Sequence, residues 1–262
     1  MARLPSSRTL ILVVTLLAPL CLLALQDQQP APKPLVPDPK SSAHDLEEEG
    51  DLLRAQKRYL DSLDFYNAAM AKQPTATLWN KEGMSYLFLQ RYQEASKCFA
   101  HAIKTDKKDP NGYNNQGFME YRWKQDYSKA LKYYRKALLL RPNDAVIHYN
   151  MGTAYFAQRD YVRSAQEYRA AYNLDPDIFE RVSKTGFMAQ SGSPENRAAF
   201  SFMVARMFAQ AGDLDRSLEY LRKAMEDGYK DIKKVYTESE FAALREDKRF
   251  SELMAQKPQP IQ

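Results

Sequence analysis

The chain has 262 residues, 44% hydrophobic and 27% charged, with only nine glycines, a balance that suits a soluble helical protein. Its formal charge is +5, and removing residues 1–25 leaves 36 basic against 33 acidic residues, or +3. So near-neutral a total does not call for a nucleic-acid partner, despite a pI of 9.0.

At the N-terminus, Arg3 and Arg8 precede an apolar run from Leu10 to Leu25, broken by Thr15 and Pro19. A charged start, a short apolar middle and a polar stretch from Gln26 read as a signal peptide over residues 1–25. A retained membrane anchor is the alternative, with residues 10–25 as a tether, although the run is short of the ~20 residues of a spanning helix. Leu22-Leu23-Ala24 is the best cleavage candidate, and Leu20 stands before Cys21 where a lipoprotein needs a small residue. The expected location is outside the cytoplasm, in the periplasm or membrane-anchored and facing outward. Residues 26–42 carry Pro30, Pro32, Pro34, Pro37 and Pro39 and read as a stiff, extended linker.

From residue 43 the chain repeats itself. Lys57-Arg58-Tyr59-Leu60-Asp61-Ser62 returns as Gln90-Arg91-Tyr92-Gln93-Glu94-Ala95, as Gln125-Asp126-Tyr127-Ser128-Lys129-Ala130 and as Arg159-Asp160-Tyr161-Val162-Arg163-Ser164. Gly212-Asp213-Leu214-Asp215-Arg216-Ser217 is a looser fifth copy. A period of about 34 residues means stacked supersecondary units. Upstream of each phrase stands a small residue with an aromatic three on, as in Gly83 with Tyr86 and Gly152 with Tyr155. A bulky residue sits four before it: Trp79, Tyr113 or His148. Downstream, a small residue leads to an aromatic four on (Tyr66, Phe99, Tyr134, Tyr168) and then to alanine three further (Ala69, Ala102, Ala137, Ala171). Spacings of three and four put these residues on one helix face, so each unit is a pair of amphipathic helices joined by the phrase. Pro74, Pro142 and Pro176 stop the second helices.

These positions resemble the tetratricopeptide repeat, Trp-x2-Leu-Gly-x2-Tyr, Ala-x3-Phe and Pro, over roughly residues 43–231. The resemblance implies an all-α, right-handed α-solenoid of about five stacked antiparallel helix pairs. The expected organisation is four units over 43–177, an irregular insertion over 178–197, a fifth unit over 198–231, short capping helices over 232–256 and a disordered tail over 257–262. The C-terminal part, Asp213 to Met254, resembles the terminal module of some bacterial exported members of the family. The third and fifth units depart from the pattern: Glu120 replaces a tyrosine, one residue is added before Tyr127, and Leu221 takes the late aromatic position. Thr237-Glu238-Ser239-Glu240 reads as a capping box, and Asp247 as the cap of a last helix.

No catalytic constellation, metal-ligand spacing or cofactor motif is visible: His44, His101 and His148 fall at different places in their units, and no phosphate loop or nucleophile motif occurs. The chain reads as a non-enzymatic scaffold that binds a protein or peptide. In this family the first helix of each pair lines the concave face, where peptides bind. Stepping three and four residues along those helices gives the expected contact set Asn80, Asn114, Asn115, Phe118, Tyr121, Tyr149, Asn150 and Phe156. Amides serve an extended backbone and aromatics give flat contact area. Part of this row could instead touch neighbouring helices or lie under residues 178–192. The competing readings are a self-assembly or envelope-complex assembly module using its convex or terminal surface, and an enzyme with an unrecognised site.

Overall fold

The computed structural model describes residues 35–184 and 194–256. The chain divides into two units, Met1–Val36 and Pro37–Gln262, and every helix described belongs to the second. The leader expected over 1–25, most of the linker and the tail from 257 lie outside the described residues. Among the described residues all regular structure is helical, and no helix is long and apolar enough to cross a membrane.

Four regular pairs come first: α1 (Ala43–Ala55) with α2 (Tyr59–Lys72), α3 (Ala76–Phe88) with α4 (Tyr92–Thr105), α5 (Pro110–Arg122) with α6 (Tyr127–Leu140), and α7 (Ala145–Ala157) with α8 (Tyr161–Leu174). Each first helix opens on a side-chain cap. Ser42 forms a full capping box with Asp45; Thr75, Asp109 and Asp144 accept from amides of Leu78, Asn111 and Val146. The recurring phrase is the turn between paired helices. Its first residue sits in the left-handed region in every copy: Lys57 at φ 62°, Gln90 at 59°, Gln125 at 55°, Arg159 at 61°, and Gly212 at 80°. The second residue's amide reaches back five residues, as Arg58 N to Leu53 O (2.9 Å) and Asp160 N to Tyr155 O (3.0 Å), a Schellman closure. In the third unit the added residue lengthens this reach to six, Asp126 N to Glu120 O at 2.9 Å.

The phrase also exchanges charges without changing geometry. Arg58 and Arg91 pair with Asp61 and Glu94 three residues on, whereas Asp160 and Asp213 pair with Arg163 and Arg216 at the same spacing. Only the aspartates cap the second helix through its backbone, at Lys129, Arg163 and Arg216.

The small-residue positions are explained by what faces them. A Cβ added at Gly50, Gly83, Gly117 or Gly152 would stand 2.5–2.8 Å from the ring of Tyr66, Phe99, Tyr134 or Tyr168. These rings are 0–1% exposed and wedge the two helices of each pair. In the fifth unit Ala205 takes the glycine's place and the smaller Leu221 the ring's, both 0% exposed.

After α8 the repeat is interrupted, though not as expected. Part of the segment read as irregular is helical: α9 spans Ile178–Lys184, and α10 runs from Pro194 to Ala211. The physical reason is burial. Ile178 and Phe179 follow Pro176 where the next first helix would begin, and they enter a cluster with Tyr149, Tyr168, Met203, Val204 and Phe208. α10 then pairs with α11 (Leu214–Glu226). Two 3-10 turns (Ile232–Tyr236, Ser239–Phe241), α12 (Ala242–Arg245) and α13 (Lys248–Gln256) cover the end of the stack with Val235, Phe241, Leu244, Phe250 and Leu253. The capping box expected at Thr237 does not form, because Thr237 Oγ1 donates to Lys234 O and Glu240 Oε2 accepts from Ser239 Oγ. Asp247 Oδ1 does accept from Arg249 N at 2.9 Å, opening α13.

Candidate partner-binding groove

The first helices α1, α3, α5 and α7 pack successively on one another, so their inward side chains form rows along one face of the stack. The most ordered of these rows is a chain of amides. Asp109 Oδ1 accepts from Asn111 N (3.0 Å) and opens α5, while its Oδ2 accepts from Asn80 Nδ2 at 2.7 Å. Asn80 Oδ1 accepts from Asn115 Nδ2 at 3.1 Å, Asn115 Oδ1 from Asn114 Nδ2 at 3.5 Å, and Asn114 Oδ1 from Asn150 Nδ2 at 2.9 Å. A carboxylate only accepts, so Asp109 fixes which way the Asn80 amide points, and each link fixes the next. The chain ties α3, α5 and α7 together and uses about half of the hydrogen-bonding capacity of Asn80, Asn114 and Asn115, and one donor of Asn150.

Beside this ladder lies a cavity of about 450 Å³. Asn114, Asn115 and Asn150 give it one polar wall; Met84, Leu87, Phe88, Phe118, Val146 and Ile178 make it otherwise apolar, with Arg54 and Arg181 also on its lining. Arg54 is held by Tyr66 Oη (3.1 Å) and Asp51 Oδ1 (3.3 Å). Lys81 Nζ lies 2.5 Å from both Glu47 Oε1 and Asp51 Oδ2. Burial pushes the Asp51 carboxyl up, but the hydrogen bonds from Lys81 and Tyr66 outweigh it and hold the group below its ordinary value. Arg181 pairs with Asp175.

Of the eight residues expected to contact a partner, Asn114, Asn115, Phe118 and Asn150 line the cavity. The others need correcting. Asn80 is 7% exposed and serves as an inner link of the ladder. Tyr149 is 3% exposed, packed edge-on against Tyr168 and Phe179, and burial drives its hydroxyl far above the ordinary tyrosine value. Phe156 is 8% exposed under Phe200 and Tyr161. Tyr121 leans on Tyr127 and the third unit's core, and burial pushes its hydroxyl up to about 12. In the fourth unit α9 and α10 cover Tyr149 and Phe156, in line with the alternative that part of the row lies under the segment after α8, while Val146 and Asn150 of α7 still line the cavity. Asp109, Arg54 and Ile178 are the lining or anchoring residues that the spacing argument missed. Asp109 could have been found as an Asp-Pro helix start, but its second oxygen's role appears only in three dimensions.

Two of the three histidines are held by packing and pairing, and His44 stands exposed beside Glu48. His148 Nδ1 lies 2.7 Å from Glu167 Oε2, and His101 stacks on Trp79 at 4.6 Å. Among the described residues no group of three or more His, Cys, Asp or Glu could hold a metal ion.

Residues 76–109 and 145–178 match the family model described as tetratricopeptide repeat, and residues 119–159 match one described as TPR repeat. The stack has the architecture of a tetratricopeptide solenoid, and residues 76–109 and 119–178 are similar to tetratricopeptide repeats. The small glutamine-rich tetratricopeptide repeat-containing protein 2 of Saccharomyces cerevisiae is 25% identical over 155 residues, 59% of this chain. The match spans 42% of that relative's length, well under half of it. A thermophilic TPR protein of Thermus thermophilus has the same fold at 18% identity, with a TM-score of 0.51 over 82% of this chain and 100% of that one. YrrB, a TPR protein with an unusual peptide-binding site, is 19% identical with a TM-score of 0.46, over 71% of this chain and 87% of its own.

Proposed function

We infer that this chain is a non-enzymatic tetratricopeptide scaffold that holds an extended segment of a partner protein in its concave groove, outside the cytoplasm. The observation that carries the reading is the cavity beside the amide ladder. Asn114, Asn115 and Asn150 keep spare donors and acceptors for a peptide backbone, and Phe118, Met84 and Val146 offer apolar area to its side chains. Tyr149 and Phe156 contribute by shaping the wall, not by contact. Export rests on the sequence of residues 1–25, and mass spectrometry of the mature N-terminus tests it: a cytoplasmic protein beginning at Met1 would refute export and leave the groove reading standing.

The groove itself is tested by capture from the native envelope. Phe118→Ala should weaken binding of the recovered partner by about 1–3 kcal/mol, as loss of an aromatic anchor does. Asn150→Ala should weaken it less. If the partner binds both variants as tightly as the unaltered chain, with helical content unchanged, the groove is not the contact.

A further inference from the structure

The chain's modest total charge conceals a segregation. Residues 97–141 hold eleven Lys/Arg against four Asp/Glu, a balance of +7, so the remainder of a +5 chain sums to −2. The four acids are engaged at turns or in the interior. Asp106 accepts from Lys108 N, Asp109 and Asp126 cap α5 and α6, and Glu120 is 1% exposed. α4 buries Ala95, Cys98, Phe99 and Ala102, and α6 buries Ala130, Leu131, Tyr134 and Ala137. Helical spacing therefore sends Lys97 and Lys104, and Lys132 and Lys136, to the opposite, outward face, away from the buried stripe. Among the described residues none of the four is in an ion pair, and Lys136 lies over the Tyr113 ring. Leu139, 82% exposed, and Leu140, 40% exposed, continue the Lys132–Lys136 stripe at the next turn.

We propose that this outward face of α4 and α6 docks the chain on an anionic bilayer surface. Lysine ammoniums are hydrated point charges that need no directional partner, which matches a fluid layer of headgroups. An apolar tip in line with them is taken up by the headgroup–acyl boundary and finds no counterpart on a phosphodiester backbone or an acidic protein surface. The contact is independent of the groove reading, since it uses second helices on the far side of the stack. It is also independent of the apolar run at residues 10–25, which would only add to it.

The fragment Pro37–Gln262 carries every core cluster of the fold and lacks that run, so it isolates the face. Its binding to vesicles of phosphatidylcholine alone, and with roughly a third phosphatidylglycerol, is measured by co-sedimentation. Binding should be about tenfold tighter to the anionic vesicles at low salt and should fall towards the neutral value at high salt. Lys132→Glu with Lys136→Glu should abolish the gain, and the milder Lys97→Gln with Lys104→Gln should reduce it. Lys230→Glu with Lys233→Glu, exposed on the C-terminal module, should leave it intact. Equal binding to both vesicles, a gain that survives the α6 double change, or tighter binding to duplex DNA or polyglutamate than to the anionic vesicles would each overturn the proposal.

Discussion

Glu82 of the second unit, just before the glycine that receives the facing ring, and Glu120 of the third, at the tyrosine position three residues after it, are both buried, at 5% and 1% exposure. Their surroundings differ. Glu82 has Cys98 Sγ at 3.5 Å, and burial raises its carboxyl above the ordinary value. Burial pushes Glu120 the same way, but Lys124 Nζ at 2.9 Å and Lys129 Nζ at 3.0 Å outweigh it and lower the group. The extra residue in the third turn makes this possible, because the six-residue closure from Asp126 to Glu120 gives Lys124 a place from which to reach back one helical turn. Two lysines, Lys124 in the lengthened turn and Lys129 on α6, thus separate a buried acid that burdens its unit from one that is fixed in place.

The largest test asks whether the two units share the ring-and-glycine wedge. Gly83→Leu and Gly117→Leu should each cost about 3 kcal/mol in denaturant unfolding, because the Cβ alone already meets the ring. The fifth unit supplies the rescue: Gly83→Ala combined with Phe99→Leu copies Ala205 with Leu221. The double variant should be more stable than the sum of the singles predicts, by about 1 kcal/mol. Strict additivity would show that the wedge is not what sets these positions.

The glutamates come next and should respond to pH in opposite senses. Glu120→Ala should cost about 2 kcal/mol near neutral pH, since it strands two lysines that remain partly solvated. The folded value of Glu120 is lowered, so its contribution is full above pH ~4.5 and is lost as pH falls through the folded value. Glu82 has a raised folded value, so its native state favours the protonated form. Its penalty is absent below pH ~4.5 and grows as pH rises through the folded value. Glu82→Gln should therefore be neutral at pH ~4 and stabilising by about 1 kcal/mol at pH ~8. Thermal unfolding of both variants across that range would refute the contrast if the two curves run parallel.

The smallest effect concerns the turns. Lys57, Gln90, Gln125 and Arg159 hold left-handed φ values that cost an L-residue about 1 kcal/mol. Glycine at any of them relieves that cost and gives back part of it as chain entropy, for a net gain of about 0.5 kcal/mol. Gly212→Ala should lose a similar amount. A gain at Gln90 without one at Gln125 would show that the longer third turn is already relaxed.

The stack itself was legible because every unit repeats its small residue, ring, alanine and turn in register, so five weak signals reinforce one another. Its interruption was only half legible. Ile178 and Phe179 lacked enough chain around them to show a helical period. At the groove, phase along α5 placed Asn114, Asn115 and Phe118 together, and all three line the cavity. On α7 the same phase reached Asn150 but not Tyr149 and Phe156, over which Phe179 and Phe200 lie. Total charge misled in another way: Lys132, Arg135 and Lys136 stand together with Tyr133 and Tyr134, and their sum was hidden by acids elsewhere.

In a stack whose units touch only their neighbours, cooperativity is passed hand to hand. Between the fourth and fifth pairs the seven residues of α9 are added, and Ile178 and Phe179 wedge between α7, α8 and α10 beside the direct Tyr172–Phe208 contact of α8 with α10. That joint sets how far the solenoid unfolds as one body. With it intact, the capped C-terminal end covers the preceding repeats; Phe179→Ala should separate the chain into two folding units, so that amide exchange in α10 and α11 no longer keeps pace with that in α7 and α8.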